Sequence, residues 1–305
     1  MDSDERLRAS VQDLRNRIAT TPDHQVLVFK EWYAEQLKSD KAEDIHFALA
    51  LDEIINAVGS AKKKKEQLVL LVHGIRTQAE WQGMVRDSLT RVGTVVEPIK
   101  YEYFDAFRFW FPFFTRKLPL KQVLWKVRHA IGRHEGREVV IIAHSFGTYA
   151  ILNILVDQPD IRCTRLLLCG SVVDRAFRWD KLANLPEVLN DCGSRDIWPV
   201  LAQSLSWGYG ASGTFGFGTP GVRDRAHDCR HGDYFNKEFV ERYWLPWLHH
   251  GIYVPSEFES TQPASPWWRS VLTILPLRWM AVAVVLAAIY WIASKFGLAD
   301  YTGTM

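Results

Sequence analysis

From residue 67 onward the chain alternates short apolar runs with amphipathic stretches. The runs at 68–72, 95–101, 138–142, 165–169 and 187–190 predict strands, and the 3.6-residue spacing at 78–91, 121–133 and 237–248 predicts helices. Such alternation implies an α/β fold: a mostly parallel sheet with helices on both faces and a ligand site beyond the carboxyl ends of its strands.

The two ends read differently. In residues 1–60, Leu7, Val11, Leu14 and Ile18 recur at helical spacing, as do two later apolar sets, so this stretch is expected to be a prefix of three short helices. The prefix suits packing on the main domain, docking to a protein partner, or self-association. The block Lys62-Lys63-Lys64-Lys65 then reads as a solvated linker. At the other end, 279–299 is almost wholly apolar and long enough for one C-terminal transmembrane helix, preceded by a juxtamembrane linker at 251–278. Arg269 and Arg278 flank its N-terminal side and Asp300 its short tail, which predicts a membrane-anchored chain with the 67–250 domain in the cytoplasm.

Composition narrows the function. A net charge of +2 gives no case for a nucleic-acid partner. Cys163, Cys169, Cys192 and Cys229 lie far apart with no C-x-x-C pair, and the acidic N-terminus lacks the apolar core of a secretory signal. Both features point to a reducing compartment, the cysteine spacing suggests no metal site, and no metal or organic cofactor is expected. The run 104–114 holds six phenylalanines and a tryptophan. It is either an apolar lid that dips into the bilayer, with Arg116, Lys117 and Lys121 at headgroup level, or a packed cap.

The chemistry centres on Ala143-His144-Ser145-Phe146-Gly147, directly after the third apolar run. A serine at a strand-to-helix turn, with small residues two before and two after, has the layout of a nucleophile elbow. A serine hydroxyl needs a base, and the base an orienting acid. Downstream, Asp196 follows the fifth strand in a turn, with Asp191 and Asp174 as further candidates. His231, just before the closing helix, takes the late position expected of the base, and His227 is its nearest competitor. His144 is expected to point away from Ser145 and pack, and His249 and His250 to lie on the surface. The oxyanion needs amide donors. The residue after the nucleophile, Phe146, supplies one, and Ile75, in His73-Gly74-Ile75-Arg76-Thr77 after the first strand, the other.

With these parts in place, residues 67–250 resemble the α/β-hydrolase superfamily, especially lipase-like serine esterases. More narrowly, they are similar to bacterial α/β-hydrolases with an HGIRT-like segment and a late glycine-rich stretch, here 73–77 and 208–218. The resemblance implies Ser145 as nucleophile, Asp196 as acid and His231 as base. It says nothing of the prefix or the tail. The glycine-rich stretch lacks phosphate-loop spacing and is expected to be a flexible flap. The resulting expectation is a serine hydrolase acting on a lipid or other acylated ester; a partner-regulated effector switched by residues 1–60 is the alternative.

Overall fold

The computed structural model describes residues 66–74, 80–90, 94–100, 116–258, 266–275 and 277–295. The prefix, the 104–114 aromatic run, Ile75 and the tail past 295 lie outside these described residues.

Six strands form one parallel sheet: β1 (Gln67–Val72), β2 (Val95–Ile99), β3 (Glu138–His144), β4 (Arg165–Cys169), β5 (Glu187–Gly193) and β6 (Val222–His227), in the order β2-β1-β3-β4-β5-β6. The central strands are apolar on both faces because both are covered. Leu68, Leu70 and Val72 of β1 face a core shared with α2 (Lys117–Arg133), α3 (Phe146–Asp157) and α4 (Trp198–Leu205). Val69 and Leu71 face the other way, onto α1 (Glu80–Thr90) and the C-terminal helical stretch. That stretch begins as α6 (Lys237–Phe239), passes through a π-turn at Val240–Trp244 and ends as α7 (Leu245–His250). The chain then runs on through Ile252 and Val254, both buried in the same core.

The strand order reverses between β1 and β3, whose register pairs Val72 with Ala143. A crevice opens at such a switch point, outside the carboxyl ends of the strands. His73-Gly74 and His144-Ser145 are the next residues on the two sides.

Strand β6 has no counterpart in the sequence reading, because Val-Arg-Asp-Arg-Ala-His has no apolar run. Its burial rests on paired charge instead. Arg225, fully buried, donates from Nε and Nη2 to both oxygens of Asp191 on β5, at 2.7 and 3.0 Å.

The glycine-rich stretch also departs from expectation: it is packed and not a flap. It carries a short helix α5 (Ser212–Phe215), and its amides at Gly210 and Gly213 donate to the Val172 and Ser171 carbonyls beyond β4, at 2.9 and 2.7 Å. Ser212 Oγ adds bonds to Ser171 Oγ and the Val173 carbonyl. Arg116 likewise does not reach outward. It is buried, with its guanidinium 3.7 Å from the Tyr209 ring centre and bonded to Ser206 Oγ and the Trp207 carbonyl, whereas Lys117 and Lys121 are exposed.

Two further helices follow, α8 (Trp267–Ile274) and α9 (Leu277–Lys295). Helix α9 has 19 residues, bears no charge between Arg278 and Lys295, buries none of its side chains, and is long and apolar enough to cross a membrane.

Candidate active site

Ser145 stands immediately before α3 with φ 54°, the one positive φ at a non-glycine position among the described residues. Such a conformation costs about 1–3 kcal/mol and persists only where the surroundings impose it. Here the Ser145 amide donates to the Cys169 carbonyl at 3.1 Å, and its own carbonyl accepts from the Thr148 amide and hydroxyl at 3.0 and 2.6 Å. The small flanking residue is needed because the backbones nearly touch: a Cβ on Gly147 would lie 2.5 Å from the Val72 carbonyl oxygen. The β1 loop passes equally close, since a Cβ on Gly74 would meet Ser145 Cβ at 2.6 Å and Oγ at 3.0 Å.

The loops after β5 and β6 are laced together. The Ser194 amide donates to the His227 carbonyl at 2.9 Å and the Arg195 amide to the Cys229 carbonyl at 3.1 Å. This brings Asp196 and His231 together. The Asp196 side chain is fully buried; Oδ1 accepts from the Trp198 amide at 3.0 Å and Oδ2 from His231 Nδ1 at 2.7 Å. With Nδ1 held by the carboxylate, Nε2 is the ring nitrogen left for another partner. Gly170, one residue past β4, lies against this pair: a Cβ there would be 2.8 Å from His231 Nδ1 and 3.2 Å from Asp196 Oδ2. Because Ser145 is tied to Cys169 and His231 rests on Gly170, the end of β4 is where the serine and the imidazole–carboxylate couple converge.

His144 packs away from the turn, as its place in the elbow predicts. Its Nε2 donates to the His231 carbonyl at 2.9 Å and its ring lies 4.5 Å from the His231 ring. Burial holds its pKa well below the usual histidine value, so it is neutral. The role of His144 in holding the His231 backbone, like the Gly170 contact, is invisible to spacing. Trp198, with 59% exposure and its ring 6.4 Å from His231, borders the site toward solvent. Phe146 is buried as the first residue of α3, while Ile75 lies outside the described residues.

The competing candidates lie elsewhere. Asp191 and His227 pair with each other, His227 Nε2 to Asp191 Oδ1 at 3.0 Å, and Trp244 Nε1 donates to Asp191 Oδ2 at 2.8 Å. Burial pushes the Asp191 carboxyl up, but the Arg225 guanidinium outweighs it and holds the carboxyl well below the usual carboxylate range. Burial also lowers the His227 pKa, so this ring serves Asp191 as a neutral donor. Asp174 is exposed and accepts from the Ala176 amide at 2.8 Å, as a turn aspartate does. His249, expected on the surface, is buried because α7 turns that side inward; the His250 side chain is outside the described set.

The Asp191 cluster makes a stability prediction. A depressed carboxyl contributes stability that is fully present above its unfolded pKa of about 3.9 and is lost as pH falls toward the folded value. Asp191→Asn is therefore expected to cost about 3–5 kcal/mol near neutral pH, since it leaves the buried Arg225 guanidinium without its counter-ion. The gap from the parent should narrow below about pH 4, read from urea denaturation in detergent at both pH values. An unchanged midpoint at pH 7 would refute this.

Nucleophilic chemistry at cysteine does not fit: burial pushes the Cys163 and Cys229 thiols up to about 12, and those of Cys169 and Cys192 well above their ordinary value. Among the described residues no group of three or more His, Cys, Asp or Glu side chains is arranged to hold a metal ion.

No family model matches the chain, and no curated protein does. Among solved structures, it is similar to an extracellular α/β-hydrolase from a Paenibacillus species, described as sharing structural and functional homology with tobacco salicylic acid binding protein 2. Identity is 20% over 35% of this chain, with a TM-score of 0.28, and the chain spans only 41% of that structure's length. A likeness of that extent says nothing of activity, so the chemistry rests on this chain's own residues.

Proposed function

We propose that the chain is a membrane-anchored serine hydrolase cleaving a carboxylic ester of a lipid or other acylated apolar molecule. One observation carries this reading: the 2.7 Å His231–Asp196 couple lies at the same carboxyl end of the sheet as a serine held at positive φ. Ser145 Oγ attacks the ester carbonyl carbon as His231 Nε2 takes the hydroxyl proton. Asp196 orients the imidazole and stabilises the imidazolium without accepting the proton itself. The oxyanion is held by the amide of Phe146, at the positive end of α3, and by that of Ile75. Collapse breaks the bond to the leaving alkoxide, which takes the proton from His231 and departs as an alcohol. Water, deprotonated by His231, then attacks the acyl-Ser145 ester, and the carboxylic acid leaves as the serine regains its proton.

The membrane part of the reading is supported by α9 and by the exposed face of α8, where Trp267, Val271 and Ile274 recur at i, i+4 and i+7. Substrates of the bilayer would then be concentrated beside the site. Removing residues 277–295 is expected to shift the chain from the alkali-washed membrane pellet to the soluble fraction; retention in the pellet would contradict anchoring by α9.

The test of the chemistry is labelling of the full chain in membranes by a fluorophosphonate probe, with the adduct mapped by mass spectrometry. The expected adduct is on Ser145. A folded chain that takes no label, or takes it at another residue, overturns the proposal.

A further inference from the structure

Helix α8 lies in sequence between the sheet domain and the apolar helix α9, yet it packs against α4, which starts two residues after Asp196. Arg269 is the one buried residue of α8. Its Nη1 donates to the carbonyl of Ser194, two residues before Asp196, and its Nε has no hydrogen-bond partner among the described residues. A buried guanidinium with so few acceptors is a costly way to fill space. A leucine would fill much of the same volume without that cost, so packing alone does not account for an arginine here.

The bond falls at a telling place. Ser194 is held from the opposite side by its amide bond to the His227 carbonyl and by Oγ donating to Asp228 Oδ1 at 3.0 Å. Asp196 in turn is held by the Trp198 amide at the head of α4. Helix α8 thus touches the carboxylate's support at both points, the Ser194 carbonyl directly and α4 by packing. Only residues 275 and 276 separate α8 from α9.

We infer that Arg269 is a positioning residue for the Asp196–His231 couple, through which the membrane-proximal helix holds the acid loop in its working geometry. This inference rests on the serine-hydrolase reading above. It makes α8 part of the site's framework, not a passive tether, and ties the seating of α8 on the bilayer to the alignment of Asp196.

The test compares the full chain with Arg269→Ala, Arg269→Lys and Asp196→Asn in phosphatidylcholine nanodiscs, reading the rate of fluorophosphonate labelling at Ser145 across pH. Asp196 and His144 are the titratable groups seen against His231, and His144 stays neutral, so the acidic limb of the profile reports the couple. If the carboxylate swings away, the imidazolium loses its partner and the limb moves to lower pH while the plateau falls. Arg269→Ala is expected to lower the plateau by about tenfold or more and to move the limb in the same direction as Asp196→Asn, by a smaller amount. Arg269→Lys, which keeps a charged donor, is expected to recover part of both. A plateau that falls with an unmoved limb, or a profile matching the parent, overturns the inference and leaves the hydrolase reading intact. An unlabelled parent, or labelling that survives Ser145→Ala, overturns both. If Arg269→Ala does not accumulate as folded protein, Arg269→Gln is scored on the same two readouts.

Discussion

Exchanging Ser145 for alanine is expected to lower ester turnover by at least about 10³-fold, with thermal stability close to that of the parent. In the proposed mechanism this hydroxyl forms the acyl intermediate, and the described cysteines, all buried thiols, offer no replacement nucleophile. Stability should hold because the turn is fixed by backbone bonds, from the Ser145 amide to Cys169 and from Thr148 to the Ser145 carbonyl, which alanine keeps. His231→Ala is expected to cost nearly as much. In the proposed mechanism the serine and its base act as a unit, so the double variant should be no worse than either single one. Turnover of a series of p-nitrophenyl acyl esters in detergent reads all three. Additive losses, or activity within tenfold of the parent in Ser145→Ala, would show that ester cleavage runs through other residues.

The second large effect concerns a residue with no reactive group. Gly170 has φ +53°, and a Cβ there would lie 2.8 Å from His231 Nδ1, 2.9 Å from Cε1 and 3.2 Å from Asp196 Oδ2. A methyl at this point presses on both members of the His231–Asp196 pair. Gly170→Ala is expected to reduce turnover by about 10²-fold or more, with a stability loss of only about 1–2 kcal/mol from the left-handed backbone. Gly132→Ala is the control. That glycine sits in α2 with nothing within 4 Å of a built Cβ, so alanine there should stabilise by about 0.5–1 kcal/mol and leave turnover unchanged. Melting temperature and kcat measured on the same preparations separate the two effects. A Gly170→Ala protein that turns over within threefold of the parent would mean that the couple tolerates displacement.

The contrast between these two predictions shows what the sequence reveals. The tight turn at Ser145 was legible because it is a local device: strand, turn and helix adjoin in the chain, and the close approach at Gly147 demands a small residue nearby. Asp196 was harder. Asp191 and Asp174 follow similar strands, and only the fold shows Asp191 spent on Arg225, His227 and Trp244. His227 and Asp191, each a rival for a catalytic role, are in fact partners of each other. Strand β6 was missed for the same reason, since it buries charge pairwise and periodicity registers only apolar burial. The glycine-rich stretch misled because its glycines serve backbone-to-backbone packing. Gly170 carried no signal at all: its role depends on a histidine 61 positions later in the chain.

The two outer strands of the described sheet have a consequence for encounters between copies of the chain. Copies held in one bilayer, as proposed above, would meet often, and an open strand edge invites pairing between sheets. Strand β2 carries Glu97 and Pro98, and proline brings no amide hydrogen to a new ladder. Strand β6 alternates Arg223, Asp224 and Arg225, with Arg223 over the Tyr253 ring at 4.3 Å and Asp224 accepting from the Phe217 and Gly218 amides. Neither edge is a template for another strand, so encounters between copies do not extend one sheet into the next.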